Sequence, residues 1–260
     1  MERLKRLLTR EHDLGTRIHR AYISRTASEV GPNLRDKAMS WLRVLNENFR
    51  LQPESFVLAV HIFDKFLLTT KVRVKYLRCV AIAAYFISIK AVEEDENIPV
   101  VSDLLETSQC GCSKSDILKM ELIILKTIEW KIYAATPMRF LQHFYEMLFV
   151  PYPSEIKNIP EKFLAEAEGT IQECMCKWQL TQFKSSVLAY AVLINTFQGV
   201  LGESQLQIIQ DIIKIENKEL FQCKLLLKEK TDNHTISVKE LETVDVIHTD
   251  SKEKLKVVKT

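Results

Sequence analysis

The residues best suited to chemistry in this chain are two closely spaced cysteine pairs, Cys110-Gly111-Cys112 and Cys174-Met175-Cys176. Together they offer four thiolates, the ligand number of a structural zinc site, but zinc-binding pairs usually have two to four intervening residues. The second pair also falls in a predicted helix, where positions i and i+2 point about 200° apart. A catalytic cysteine needs a neighbouring base, which the sequence does not supply. We therefore predict no metal site and interpret the cysteines as reduced thiols.

Other signatures of catalysis are missing from the sequence. It contains no Gly-rich phosphate loop, no His-Glu-x-x-His and no Gly-x-Ser-x-Gly. The six histidines are scattered, and none lies three or four residues from another histidine or from a cysteine. We predict that the protein is not an enzyme, needs no cofactor and works by binding other proteins.

Charge and hydropathy narrow the choice of partner. The net charge is only +2, and residues 91–106 hold six acidic side chains and no basic one, which disfavours nucleic acid as a partner. The longest apolar run covers the nine residues 79–87, about half of a membrane span. The amino terminus lacks the features of a secretory signal, so we expect an intracellular protein without a membrane partner.

The elements that must carry any binding site are predicted to be helices. Six glycines and seven prolines in 260 residues are too few for a turn-rich β protein. Apolar residues recur with helical spacing in five consecutive segments, namely 34–49, 53–70, 74–90, 98–105 and 113–129. The third segment is apolar on all sides between residues 79 and 89, so it should lie at the centre of the other four.

A second set of helices is predicted after Thr136-Pro137, where a hydroxyl at the N-cap and a proline at the first helical position form a start signal. The segments are 138–149, 160–178, 185–198, 203–215 and 218–230, and the third is again the most apolar. We therefore predict an all-α fold of two consecutive five-helix repeats, at 31–134 and 135–230. A basic amphipathic helix in residues 1–30 should precede them, and a disordered tail, 231–260, should follow.

Residues 35–94 resemble the first repeat, or cyclin box, of the cyclins. The matching pieces are Arg35 with Trp41-Leu42, Leu58-Ala59-Val60, Asp64-Lys65-Phe66-Leu67, Ala83-Ala84, Ser88-Ile89-Lys90 with Glu93-Glu94, and Lys119-Met120-Glu121 with Leu125. Within this family the chain is similar to the atypical cyclin G and cyclin I group. Segments 91–99 and 110–113, and the residues Ala135-Thr136-Pro137 with Phe140-Leu141, resemble cyclin I especially.

The resemblance implies a regulatory subunit that docks on a cyclin-dependent protein kinase and holds its C-helix in the active position. Lys90 matches the lysine and Glu121 the glutamate with which cyclins hydrogen-bond that helix and the segment before it. A lysine can satisfy free backbone carbonyls and a glutamate free amides. We therefore expect these two residues to bind the kinase, and we expect the protein in both nucleus and cytoplasm.

The chain departs from the family in the groove that binds substrate docking peptides in cell-cycle cyclins. The aligned residues here are Leu34, Arg35, Lys37, Ala38, Trp41 and Arg78. Lys37 and Ala38 replace large aliphatic side chains, and Arg78 replaces a glutamine, so we predict a degenerate groove. The alternative function is a cyclin-fold adaptor that acts independently of kinase activation and recruits a protein phosphatase regulatory subunit or another regulator.

Overall fold

A computed structural model of the chain describes residues 2–11, 30–149, 161–197, 202–232 and 258–259. These residues form eleven α-helices in two compact units. The first unit contains five helices: α2 (Pro32–Asn48), α3 (Pro53–Thr69), α4 (Leu77–Val92), α5 (Val101–Ser108) and α6 (Lys114–Thr127). It also contains two-residue strands β1 (Thr70–Lys71) and β2 (Val258–Lys259), which pair antiparallel, and 3-10 turns at Val74–Tyr76 and Asp95–Asn97.

The second unit contains α1 and the remaining helices. Their bounds are α1 (Glu2–Arg10), α7 (Pro137–Phe149), α8 (Glu161–Met175), α9 (Ser185–Thr196), α10 (Glu203–Ile213) and α11 (Asn217–Asp232), with a 3-10 turn at Trp178–Gln182. The all-α fold of two five-helix repeats is thus confirmed. The predicted N-terminal helix is described only as far as α1, and nearly all of the predicted tail lies outside the described residues.

Each unit is built around its third helix, as the hydropathy predicted. In α4 every residue from Cys79 to Ile89 is buried, and in α9 every residue from Ser186 to Leu193. Helix α4 packs against α3, α6 and α2, while α9 packs against α7, α11 and α8. A helix without a polar face lowers its free energy only when neighbours cover it on all sides, which explains these arrangements. Among the described residues, no helix is both long and apolar enough to cross a bilayer.

At two of the predicted helix starts, a side chain caps the first turn of the helix. The Ser113 hydroxyl accepts a hydrogen bond from the Asp116 amide at 3.1 Å, and the Asp116 carboxylate accepts one from the Ser113 amide at 3.1 Å. This reciprocal pair is a capping box that fixes the first turn of α6. At α7 the Thr136 hydroxyl accepts from the Arg139 amide at 3.3 Å.

A buried ion pair ties α2 to α3. Arg35 is fully buried, and its guanidinium donates to both carboxylate oxygens of Asp64, Nη2 to Oδ2 at 2.8 Å and Nε to Oδ1 at 3.2 Å. A third nitrogen, Nη1, donates to Asp36 at 3.3 Å. A planar guanidinium is suited to such a two-pronged contact, which fixes both distance and orientation. Arg35 is therefore a core residue, and its assignment to the surface groove was wrong because its side chain points inward to Asp64.

The acidic run after α4 is less uniform than its sequence indicates. Glu94, Asp95 and Glu96 are exposed, but Glu93 is half-buried and folds back onto the start of α3. Oε1 of Glu93 accepts hydrogen bonds from the backbone amide of Gln52, at 2.8 Å, and from the Ser55 hydroxyl. A carboxylate in this place satisfies helix donors that have no partner within the helix and complements the helix dipole.

We expect Glu93→Ala to lower the free energy of unfolding by about 1–2 kcal/mol, because the Gln52 amide and the Ser55 hydroxyl lose their acceptor. Urea denaturation followed by circular dichroism measures the change. Glu94→Ala is the matched control, and its exposed side chain should contribute less than about 0.5 kcal/mol. Equal losses in the two variants would contradict the capping role.

A similar cap occurs in the second unit. The carboxylate of Glu11, just beyond α1, accepts from the amide of Ser186 at 2.7 Å and from its hydroxyl at 2.8 Å. Burial raises the pKa of Glu11, and the two hydrogen bonds from Ser186 oppose that rise. A carboxylate 175 residues from the helix that it caps has no local sequence signature, so the sequence could not predict this contact.

Candidate functional site

Lys90 lies in the last turn of α4 and contacts Glu121, which lies in the middle of α6. Lys90 is the first exposed residue after the buried part of α4, and Glu121 is half-buried on the adjacent helix. The Lys90 ammonium donates a hydrogen bond to Oε1 of Glu121 and lies 4.3 Å from the ring centroid of Phe86, one turn earlier in α4. The pair is thus held from two directions, by a charged hydrogen bond and by a cation–π contact.

Both side chains can form further hydrogen bonds with a partner protein. The Lys90 side chain is 37% exposed and that of Glu121 is 14% exposed. An ammonium has three N–H donors and a carboxylate about four acceptor positions, so one mutual hydrogen bond leaves most of that capacity unused. The site can therefore offer donors and acceptors to backbone groups of another protein at the same time.

Exposed apolar side chains follow the same face of α6. Leu118 is 44% and Leu122 45% exposed, one turn apart, and they line a shallow depression of about 480 Å³ together with Lys114, Ser115 and Lys119. With a period of 3.6 residues, Leu118, Glu121 and Leu122 point in similar directions. The charged pair therefore lies beside an apolar strip on one helix.

Trp130 adds a large aromatic side chain just beyond α6. It is 63% exposed, and its backbone has a φ of +57°, in the left-handed region that is unusual for a residue with a side chain. Its amide donates to the Leu125 carbonyl at 2.8 Å, which ends the helix and fixes this turn. We call Lys90, Glu121, Leu118 and Leu122 the α4–α6 face.

The exposure of Leu118 and Leu122 was not predicted from the sequence. The buried side of α6 is formed by Ile117, Met120, Ile124 and Leu125. The apolar residues of this helix cover more of its circumference than burial on one side requires, and that pattern is the signal of a second, exposed apolar strip.

Some of the residues predicted to form the degenerate docking groove lie next to each other in the structure. The Arg78 guanidinium carbon lies 5.8 Å from the ring centroid of half-buried Trp41, and Arg78 Nη1 donates to the Gln109 carbonyl at 3.5 Å. Lys37 is exposed and Leu34 half-buried, but Ala38 is buried together with Arg35 and contributes no surface. The apolar floor that a docking peptide would need is thus reduced to Leu34 and Trp41, and the Arg78 cation partly covers Trp41.

The two cysteine pairs belong to different units. Cys110 and Cys112 lie between α5 and α6 in the first unit, and Cys174 and Cys176 lie at the end of α8 in the second. Within the described parts of the chain, no three His, Cys, Asp or Glu side chains are placed to hold a metal ion.

Comparison with known proteins gives a family match and several relatives. The family described as "Cyclin, N-terminal domain" matches residues 3–133. Rat cyclin-G1 is 33% identical over 190 residues, which are 72% of this chain and 64% of that protein. Human cyclin-G2 is 34% identical over 201 residues, 76% of this chain and 58% of that protein. The chain therefore spans less than two thirds of the length of these relatives.

Solved structures share the fold. The X-ray structure of a viral cyclin from herpesvirus saimiri superposes with a TM-score of 0.68 at 20% identity, covering 79% of this chain and 87% of that one. A chain of the yeast RNA polymerase II CTD kinase CTDK-1 complex gives a TM-score of 0.61 at 12% identity, with 84% and 72% covered. At these identities the likeness concerns the arrangement of helices alone.

Proposed function

The chain belongs to the cyclin family and is related to the G-type cyclins; from this premise we propose that it is a regulatory subunit that binds a cyclin-dependent protein kinase. The observation that carries the proposal is the α4–α6 face, where the Lys90–Glu121 pair lies beside exposed Leu118 and Leu122. Within the G-type cyclins and their neighbours, we propose cyclin I as the nearer relative, on the segments 91–99 and 110–113.

The Lys90–Glu121 pair would bind the N-terminal end of a kinase helix and the segment before it. The first turn of a helix has amides without internal partners, and Glu121 can accept hydrogen bonds from them. Lys90 can donate to the backbone carbonyls of the segment that precedes that helix. Each charge-assisted hydrogen bond at an interface without water contributes about 1.5–3 kcal/mol.

The apolar residues would supply the remaining affinity. Leucine and tryptophan side chains that lose their contact with water stabilise a complex by about 25 cal/mol for each Å² of apolar surface. Trp130, just beyond the end of α6, is 63% exposed, and large aromatic residues often dominate interface energies. A kinase C-helix held against this face would keep its glutamate paired with the catalytic-site lysine, which active kinases require. The chain itself would take no part in phosphoryl transfer.

A second candidate is an adaptor that keeps the fold but recruits a protein phosphatase regulatory subunit or another regulator. The changed groove favours it, because the contact between Arg78 and Trp41 leaves little apolar surface for substrate docking peptides. We propose action in both nucleus and cytoplasm, which imaging of the tagged full chain tests directly.

The deciding experiment measures binding of the full chain to a panel of purified cyclin-dependent kinases, together with phosphorylation of a histone peptide. We expect one kinase to bind, and the double variant Lys90→Ala/Glu121→Ala to bind it about 150-fold more weakly, because two charge-assisted contacts worth about 3 kcal/mol are lost. The single variants separate the two contributions.

The control is Lys126→Ala, which removes an exposed lysine from the last turn of the same helix, outside the depression lined by Leu118 and Leu122, and should change affinity less than threefold. Unchanged binding by the double variant would show that Lys90 and Glu121 do not contact the kinase. Absence of any kinase complex with the wild-type chain would favour the adaptor, and the same variants would then be measured against phosphatase regulatory subunits.

A further inference from the structure

A basic stretch leads into α4 and lies outside the α4–α6 face as defined above. Residues 65–92 contain six basic side chains and no acidic one, and four of the six fall within positions 71–78. Arg73 and Lys75 are exposed, and Arg78, in the first turn of α4, is half-buried. Cations concentrated on so short a segment attract anionic groups from solution.

The Arg78 guanidinium is held in place by two contacts. Its central carbon lies 5.8 Å from the ring centroid of Trp41, and Nη1 donates to the Gln109 carbonyl at 3.5 Å. A guanidinium has five N–H donors, so this single hydrogen bond leaves four of them. A guanidinium that rests on an aromatic ring presents its donors in one plane, and this geometry matches the two oxygens of a carboxylate. Arg78 is therefore oriented for an anionic group before a partner arrives.

Two exposed lysines lie near this arginine along the two helices. Lys37 is one turn before Trp41 on the same side of α2. Lys75 is three residues before Arg78, and its ammonium lies 5.2 Å from the ring centroid of Tyr76. Among the residues that the structure describes, neither Lys37 nor Arg78 forms an ion pair, so their charges are not compensated within the protein. We call Lys37, Trp41, Lys75 and Arg78 the α2–α4 face.

We propose that the α2–α4 face binds an acidic peptide segment of a partner protein. Arg78 would hold one aspartate or glutamate carboxylate through two parallel N–H donors, and Lys37 and Lys75 would attract further carboxylates. Half-buried Trp41 and Leu34 offer a small apolar surface for one aliphatic side chain of the peptide. Because that surface is small, the cations rather than apolar contacts would determine which peptide binds.

The charges of the first unit favour an acidic peptide over nucleic acid. The carboxylate next to Lys37, that of Asp36, accepts a hydrogen bond from Nη1 of the buried Arg35, so its charge is already paired. Three cations suffice for a short acidic segment, whereas nucleic-acid-binding proteins often neutralise about six to ten phosphates. The exposed acidic residues 94–96 of the same unit would also repel a long polyanion.

The experiment measures the fluorescence anisotropy of labelled twelve-residue peptides titrated with the full chain, and it needs no kinase. The acidic probe repeats Glu-Asp-Leu-Glu, and the matched neutral probe repeats Gln-Asn-Leu-Gln. We expect the acidic probe to bind at least tenfold more tightly at about 50 mM salt. This difference should shrink as the salt concentration rises to about 500 mM, because salt screens exposed charges. A single-stranded DNA of twelve nucleotides tests the other class of anionic partner.

Variants separate a specific contact from general attraction by charge. Lys37→Gln/Arg78→Gln should weaken binding of the acidic probe at least tenfold, because both uncompensated cations are lost. Arg50→Gln is the matched control, an exposed arginine just beyond α2, and should change the affinity less than threefold. Arg78→Lys keeps the charge but loses the planar pair of donors, so it should bind the acidic probe at least about threefold more weakly.

Four results would overturn the proposal. Equal affinity for the acidic and neutral probes would show that charge does not select the ligand, and tighter binding of the DNA would assign the face to nucleic acid. Equal losses in Arg50→Gln and the double variant would mean that only net charge matters. Tighter binding after Glu240, Glu242 and Asp245 are changed to glutamine would mean that the chain's own carboxyl-terminal segment occupies the face. The first two comparisons use the wild-type chain, so they do not depend on the folding of any variant.

Discussion

Replacing Asp64 by asparagine is expected to lower the free energy of unfolding of the first unit by about 3–5 kcal/mol. The reason is that Arg35 is fully buried and that its Nη2 and Nε nitrogens both donate to the Asp64 carboxylate. Without that carboxylate the guanidinium charge is no longer fully compensated, and an incompletely compensated buried charge is among the costliest defects in a core. Urea denaturation monitored by circular dichroism measures the change.

The matched control is the ion pair of Arg43 and Glu47 on the surface of α2, whose Nη1 and Oε1 atoms are 3.1 Å apart. Arg43→Ala should cost less than about 1 kcal/mol because both partners, 28% and 54% exposed, keep contact with water when they separate. Replacing both buried partners with apolar residues, in Arg35→Met/Asp64→Leu, should recover most of the lost stability. A double variant as unstable as Asp64→Asn would show that the cost arises from packing rather than from the unpaired charge.

The second large effect is expected on binding. Leu118→Glu/Leu122→Glu should weaken the proposed kinase complex more than a thousandfold, because two carboxylates would have to leave water without partners. The change is informative because both side chains are already about half exposed in the isolated chain, and the stability of the fold should therefore change little. Isothermal titration calorimetry with the kinase found in the panel gives the affinity.

A surface leucine-to-glutamate change could also act by altering net charge. The control is Val44→Glu, at an exposed apolar position on α2 away from the α4–α6 face, which should leave affinity within threefold of wild type. Retained binding by the double glutamate variant would show that Leu118 and Leu122 do not contact the kinase, whatever Lys90 and Glu121 contribute.

Most of the helical framework could be predicted because it depends on local signals. The uninterrupted apolar stretch of α4 requires burial on all sides, and Ser113 and Thr136 have the residue types that cap helices. The starts of α6 and α7 were accordingly found within two residues. The prediction placed α5 at 98–105 instead of Val101–Ser108, because this short helix has no side-chain cap to mark its start.

The errors concern residues whose environment is set by distant parts of the chain. Arg35 resembles a surface residue in sequence, and the Asp64 carboxylate that compensates its buried charge lies 29 positions later. Glu93 belongs to an acidic run, yet the start of α3 withdraws it from solvent. Leu118 and Leu122 fit the helical period as well as their buried neighbours do, so periodicity alone cannot separate a face kept for a partner from a face used in folding.

The uninterrupted burial of α4 has a consequence for association. Lys90 follows eleven consecutive buried residues, so the end of α4 cannot shift without exposing apolar surface elsewhere in the first unit. Such a segment opens only when the whole unit unfolds, and its backbone is therefore ordered before any partner arrives. Binding at Lys90 would immobilise a side chain but no backbone, so little conformational entropy is lost there. The kinase would meet a pre-organised contact point, and any slow rearrangement during complex formation would have to come from the kinase.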